Sequence, residues 1–300
     1  MKMTYRERAT SLLAVLLMLF MAVPTQAQSE LPLPSVPDSL RTPRKRAAYV
    51  MEHFWDAMDF RDTLRSHDER FMEQNLVNFF SLFPHADTAD VRRSVALLME
   101  RAEADGKAFT VVADLAAKYL YEKESPMFSE LHYTMFLDRV RCSPAAPVAL
   151  RSRAAFLFEA IRKNFPGTVA ADFPMVLRDG SRSSLMAAPA RPTVLLFYDP
   201  HCDDCIVAIK TLSESSLLRR LAESGKLTVL AVYTEGDTAV WQRTKDTLPS
   251  WWTVARDLGG ILSDDLYFLP SMPSLYLLDA DRTVVLKDTS VEELLKAVSP

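Results

Sequence analysis

Three hundred residues, 49% of them hydrophobic and only seven of them glycine, can bury two cores, and this excludes a disordered or low-complexity polypeptide. Residues 1–27 carry Lys2, Arg6 and Arg8 against one acid, Glu7. The remainder then holds 32 basic and 38 acidic residues, a net charge of −6 that favours solubility and argues against nucleic acid as a partner. Three cysteines are too few for a disulfide scaffold and allow one pair and one leftover.

Residues 1–27 read as a Sec-type signal peptide. A positive start leads into the apolar core from Ser11 to Val23, and Pro24-Thr25-Gln26-Ala27 sets small residues before a cut after Ala27. Those 13 core residues fall short of the ~20 that span a bilayer as a helix, so no stable membrane anchor is expected. No cysteine follows until Cys142, which argues against a lipoprotein. Residues 28–44, with Pro32, Pro34, Pro37 and Pro43, read as a flexible leader.

From 45 to 165 the apolar residues recur at helical spacing, which predicts an all-α domain of some six helices. Val50, Met51, Phe54, Trp55 and Met58 share one face, as do Phe71, Met72, Leu76, Phe79, Phe80 and Phe83 in the next segment. Val91, Val95, Leu98, Met99 and Ala102 form a third stripe behind an Asp87-Thr88 cap. Further helices are expected from Phe109 to Tyr121, from Pro126 to Val140 and from Val148 to Lys163. Pro126 would occupy a first helical position, where proline is welcome. The large apolar residues read as core, and Cys142 as a buried, inert thiol.

Asn164-Phe165-Pro166-Gly167 supplies strong turn chemistry, and from 168 to 300 short strands alternate with helices. Strands are expected at Ala170–Leu177, at the wholly apolar-faced Thr193–Tyr198 and at Leu227–Tyr233. Helices are expected at Cys202–Leu221 and Thr238–Leu248. Ser274–Leu278 and Thr283–Lys287 read as a hairpin around Asp279-Ala280-Asp281, and Ser290 with Glu293 forms a capping box for a last helix.

Cys202-Asp203-Asp204-Cys205 lies where a buried strand gives way to a helix. Two residues between cysteines in a first helical turn bring the sulfurs within bonding range. The free N–H groups at the helix start also stabilise negative charge on the first sulfur. Cys202 would therefore attack a disulfide and Cys205 resolve the mixed disulfide, passing through a Cys202–Cys205 bond. No second cysteine pair and no paired histidines complete a zinc site, and Ile206 stands where haem attachment needs histidine. A purely structural bridge would close too small a loop to stabilise much.

Residues Pro192–Leu212 resemble the active-site strand and helix of the thioredoxin superfamily, and the organisation from Asp172 onward is similar to its exported TlpA/ResA-type thiol-disulfide oxidoreductases. A second mark is Ser271-Met272-Pro273-Ser274-Leu275-Tyr276-Leu277-Leu278-Asp279. The resemblance implies an α/β thioredoxin-like fold, a central mixed sheet flanked by helices, C-terminal to the all-α domain. It makes Pro273 a cis-proline facing the cysteines and Met272 the residue whose backbone meets a substrate chain. The helical part resembles uncharacterised domains fused to such folds.

Several positions depart from that family. His201 replaces the tryptophan before the first cysteine, and Asp203-Asp204 replaces Gly-Pro. The family's buried acid falls on Leu196, and the acid of ResA-type proteins falls near Arg178, with Asp179 the nearest carboxylate, so a base for Cys205 is unassigned. Peroxiredoxin chemistry is disfavoured, because Asp199 stands where those enzymes need threonine. Asp203 and Asp204 oppose thiolate formation at Cys202, or else cap the helix, while a protonated His201 would assist it. Trp251-Trp252 reads as core or as groove lining.

These features predict a periplasmic thiol-disulfide oxidoreductase that acts on protein thiols or disulfides, as a reductant or isomerase rather than an oxidant. It would draw electrons from an envelope donor and need no cofactor or metal beyond its own cysteines. The competing reading is an envelope binding protein whose helical domain recognises a partner and whose thioredoxin-like fold is a largely non-catalytic platform.

Overall fold

The structure is a computed structural model that describes residues 30–299. The signal-peptide reading of residues 1–27 lies outside the described residues. The chain divides into two compact units, Met1–Ala155 and Phe156–Pro300.

The first unit is helical. Its elements are α1 (Pro43–His53), the short α2 (Thr63–Ser66), α3 (Glu69–Phe80), α4 (Thr88–Ala102), α5 (Gly106–Leu120), α6 (Glu130–Cys142) and the start of α7 (Val148–Arg162), within which the division falls. Local chemistry explains the starts. Side-chain oxygens of Thr42, Asp62, Asp68, Asp105 and Ser129 each accept an otherwise unpaired first-turn N–H. The apolar stripes meet in an aromatic core, with Phe79 edge-on to Phe83 at 5.2 Å and Phe80 edge-on to Phe136 at 5.8 Å.

Three sequence expectations change here. The helix expected from Pro126 begins at Glu130, because the Ser129 hydroxyl caps His132 N–H while Ser129 N–H bonds back to the Leu120 carbonyl. Part of the expected leader is held in place: Leu31 is buried, and its N–H donates to Asn75 Oδ1 at 2.7 Å. Cys142, expected to be buried, is an exposed thiol at the end of α6.

The second unit is a mixed sheet flanked by helices, the architecture expected from the sequence. In chain order it comprises β1 (Pro174–Leu177), β2 (Arg182–Ser184), β3 (Thr193–Tyr198), α8 (Asp203–Glu214), α9 (Ser216–Glu223), β4 (Thr228–Tyr233), α10 (Thr238–Thr244), β5 (Thr253–Asp257), β6 (Ser274–Leu278), β7 (Val284–Leu286) and α11 (Val291–Ala297). The strand order is β2-β1-β5-β4-β3-β6-β7. β3 pairs parallel to β4, and β4 parallel to β5, while β6 runs antiparallel to β3. Side chains alternate along a strand, so β3 serves two cores. Val194, Leu196 and Tyr198 join Cys205, Leu212 and Trp241 on one face, and Leu195 and Phe197 join Phe173, Tyr267 and Tyr276 on the other.

The first strand is shorter than its apolar run, since Ala170 N–H bonds to the Arg282 carbonyl outside the ladder. Asp179-Gly180 does turn the chain, with Gly180 at φ +89, a conformation that costs glycine nothing. The single helix expected over Cys202–Leu221 is two. Ser215 takes the extended conformation (φ −69, ψ 105), and its hydroxyl caps α9 through Leu218 N–H. The helix expected to reach Leu248 ends at Thr244. The Ser290–Glu293 capping box forms as read.

Candidate active site

Between β3 and α8 the chain runs through Tyr198-Asp199-Pro200-His201. Asp199 Oδ1 accepts His201 N–H at 2.9 Å, and the Asp199 carbonyl accepts Cys202 N–H at 3.2 Å. This turn delivers Cys202 to the N-cap of α8 with an extended backbone (φ −88, ψ 121). The cap is the sulfur itself: Cys202 Sγ accepts Cys205 N–H at 3.2 Å. A sulfur in that position faces the positive end of the helix, which favours negative charge.

The second sulfur has a different setting. Cys202 is half-buried, Cys205 fully buried, and both are free thiols. Burial, first, and the hydrogen bond with Cys202, second, push the Cys205 thiol up to about 12. A backbone hydrogen bond from Asp199 works against that rise, while the negative charge of the Asp199 side chain adds to it.

Opposite the cysteines lies the turn before β6. The antiparallel register Phe197↔Ser274 sets Met272 and Pro273 beside the end of β3. The Met272–Pro273 bond is cis, and the Met272 carbonyl oxygen is 3.5 Å from Cys202 Sγ. Cys202, Cys205, Met272 and Pro273, far apart in sequence, are thus brought together.

The residues read as modulators lie around this centre. His201 is exposed, with Nδ1 at 3.5 Å from Asp199 Oδ1. Asp203 and Asp204 are exposed in the first turn of α8, but neither is the cap, because Cys202 fills that position. Asp179 serves its own turn, accepting Ser181 Oγ–H at 2.6 Å, which together with Ser181 N–H lowers its carboxyl below the usual range. Arg178 instead donates to the Leu248 and Pro249 carbonyls. Trp252 is core, and Trp251 packs half-buried against the same cluster, edge-on to it.

Asp199 is the site residue that the sequence argument passed over. The signal was present in Asp199-Pro200, since Asp before Pro starts turns and an Asp side chain bonds the backbone two residues on.

Comparison with known proteins finds several that are similar to this chain. Residues 19–164 match the family model DUF5106, a domain of unknown function. A crystal structure of a thioredoxin-like protein from Bacteroides caccae is similar over nearly the whole molecule. It shares 29% identity and a TM-score of 0.81, covering 89% of this chain and 97% of that one. A conserved protein of unknown function from Bacteroides fragilis shares 34% identity over 45% of this chain and 99% of its own, with a TM-score of 0.43. The thioredoxin domain of a thiol-disulfide oxidoreductase from Bacteroides vulgatus shares 20% identity over 45% and 99%, with a TM-score of 0.39. No curated protein matches the chain.

Proposed function

The C-terminal unit of this chain belongs to the thioredoxin superfamily, and on that premise we propose that the protein is a thiol-disulfide oxidoreductase exchanging disulfides with protein substrates through Cys202 and Cys205. The carrying observation is the N-cap geometry, with Cys202 Sγ accepting Cys205 N–H at 3.2 Å. One sulfur is reachable and sits where a helix start supports its anion; the other is buried directly behind it.

Cys202 attacks a substrate disulfide and releases the first substrate thiolate. Cys205 then attacks the Cys202 sulfur, expels the second thiolate and leaves the pair oxidised. An envelope donor would return the two electrons. The Met272 backbone, 3.5 Å from Cys202 Sγ, lies where an extended substrate chain could add main-chain hydrogen bonds. His201, Asp203 and Asp204 would tune the potential, and a surplus of carboxylates there fits a reductant or isomerase.

Residues 1–27 would direct export to the periplasm and be removed. Among the described residues no helix is long and apolar enough to cross a membrane. The reaction is tested by trapping: Cys205→Ser should accumulate mixed disulfides on Cys202, identifiable by mass spectrometry. Absence of adducts, with the two thiols alkylated at equal rates, would sink the proposal and leave the non-catalytic platform reading. Recovery of mature protein beginning at Met1 would refute the export reading.

A further inference from the structure

At the end of the sheet where β3 begins and β6 finishes, the second unit holds a cleft of about 300 Å³. The six residues of β3, at ~3.3 Å each, put it roughly 20 Å from the cysteine end. Leu221 from α9, Leu277 from β6, Val285 from β7 and Val298 after α11 line it, together with Lys226 and Asp279.

Local structure opens this cleft. In the β6–β7 hairpin Leu277 pairs with Leu286 and Leu278 with Val284, which leaves Val285 as an extra residue on the edge strand. A bulge of that kind re-aims its side chain. Val285 is 47% exposed and borders the cleft, while Leu277 is buried beside it.

The charges at the cleft are uneven. Among the described residues the Lys226 amine and the Arg191 guanidinium have no hydrogen-bond or ion-pair partner. Arg191 precedes the lining residue Pro192, and its Nη1 would stand 3.3 Å from a Cβ placed on Gly225, the residue before Lys226. Glycine at φ +72 holds that turn without strain and leaves the guanidinium its room. Asp279 is committed elsewhere, since its Oδ1 accepts Asp281 N–H at 2.9 Å and Thr283 N–H at 2.8 Å. The last carbonyls of α9 are also occupied. Leu221 O takes Lys226 N–H at 2.9 Å, and Ala222 O takes Gly225 N–H at 3.0 Å. Apolar walls with a few placed polar groups are the usual make-up of a small-molecule site, and here the unused polar groups are cations.

We propose that this cleft binds a medium-chain carboxylate. The alkyl chain lies against the leucines and valines, and the carboxylate faces Lys226 and Arg191. A volume of about 300 Å³ admits about ten atoms of water's size at roughly 30 Å³ each, which is a carboxylate of about eight carbons. A neutral amphiphile of that length leaves both cations unused, and a cationic one is repelled by them. The proposal is independent of the disulfide-exchange reading.

Titration calorimetry of the full chain with octanoate tests it. One octanoate should bind per chain, and hexanoate should bind roughly tenfold more weakly because two methylenes stay in water. Octylammonium should bind about tenfold more weakly than octanoate. Lys226→Gln should weaken octanoate about 3-fold, and adding Arg191→Gln should bring the loss to about tenfold, both losses shrinking at high salt. Val285→Glu sets an anion at an exposed wall position, so it should abolish binding while leaving the urea midpoint unchanged. If that variant unfolds, the charge variants and the hexanoate comparison decide.

The proposal is overturned if octanoate shows no saturable binding, or if octylammonium or the Val285→Glu protein binds equally well. It is also overturned if the chain dimerises with rising concentration, Val285→Glu makes it monomeric and octanoate does not bind. A second copy then covers the cleft. None of these outcomes bears on exchange through Cys202 and Cys205.

Discussion

Each compact unit contains a helix with a cysteine at one end, and the contrast between the two ends separates a residual thiol from the one proposed to react. In the helical unit α6 is capped by the Ser129 hydroxyl, and Cys142 closes it, exposed, beside carbonyls that carry the negative end of the helix. In the sheet unit α8 has no hydroxyl cap, and the Cys202 sulfur accepts the first-turn N–H in its place. Cys142 is the more exposed of the two. Accessibility therefore does not distinguish them. Polarity of the helix end does, and so does the buried second thiol behind only one of them.

The largest expected effect tests that contrast directly. Cys202→Ser should abolish reduction of insulin disulfides, while Cys142→Ser should leave the rate within about twofold, as turbidity assays would record. A Cys142→Ser variant that lost activity would break the distinction between the two ends.

Core deletions sharpen it energetically. Leu212 is fully buried on α8, and Leu98 is fully buried on α4. Truncating either to alanine should cost about 2–5 kcal/mol in urea unfolding. Only Leu212→Ala should also slow thiol exchange under folding conditions, because it loosens the helix that carries the cap. Equal slowing by Leu98→Ala would show that the helical core supports the thiol site.

A smaller effect belongs to the helical unit's own caps. Asp105 Oδ1 accepts Ala108 N–H at 2.8 Å and pairs with His67 Nε2 at 2.7 Å, which together hold its carboxyl below the ordinary value of 3.8. Asp105→Ala should cost about 0.5–2 kcal/mol. Since the folded carboxyl titrates lower than the unfolded one, its contribution is present above pH 3.8 and lost as pH falls through the folded value. Thermal melts from pH 7 to 2 should therefore converge for the two proteins at the acid end. A constant gap would mean that the cap oxygen works independently of its charge.

The smallest effect concerns Asp203 and Asp204. Both are exposed, where salt screens them, so changing both to asparagine should raise the reduction potential by only about 10–20 mV. Glutathione equilibria at low and high salt would measure it. A shift insensitive to salt would mean that the carboxylates act through local geometry.

How far the sequence could be read depended on whether the information was local. β3 was legible because Val194–Phe197 is a continuous apolar run, and all six residues of the strand are buried. The capping box at Ser290 was legible because both partners lie within three residues. β5 was not. Thr253–Asp257 ends in Arg256 and Asp257, and it is a strand because β1 and β4 flank it while the Asp257 carboxylate takes Gly260 and Ile261 N–H in the buried interior. The break at Ser215 was equally hidden, since a serine within a helical pattern can stay helical or cap the next helix.

The candidate site divides along the same line. Sequence by itself determined the cysteine pair and its place after a buried strand, because spacing and helix-start donors act within a few residues. Only the tertiary structure decided that Met272 lies against Cys202 and that Cys205 is buried in a cluster with Leu196 and Leu212. Those relations span up to 70 residues and depend on strand order and register, which are set by packing across the whole sheet.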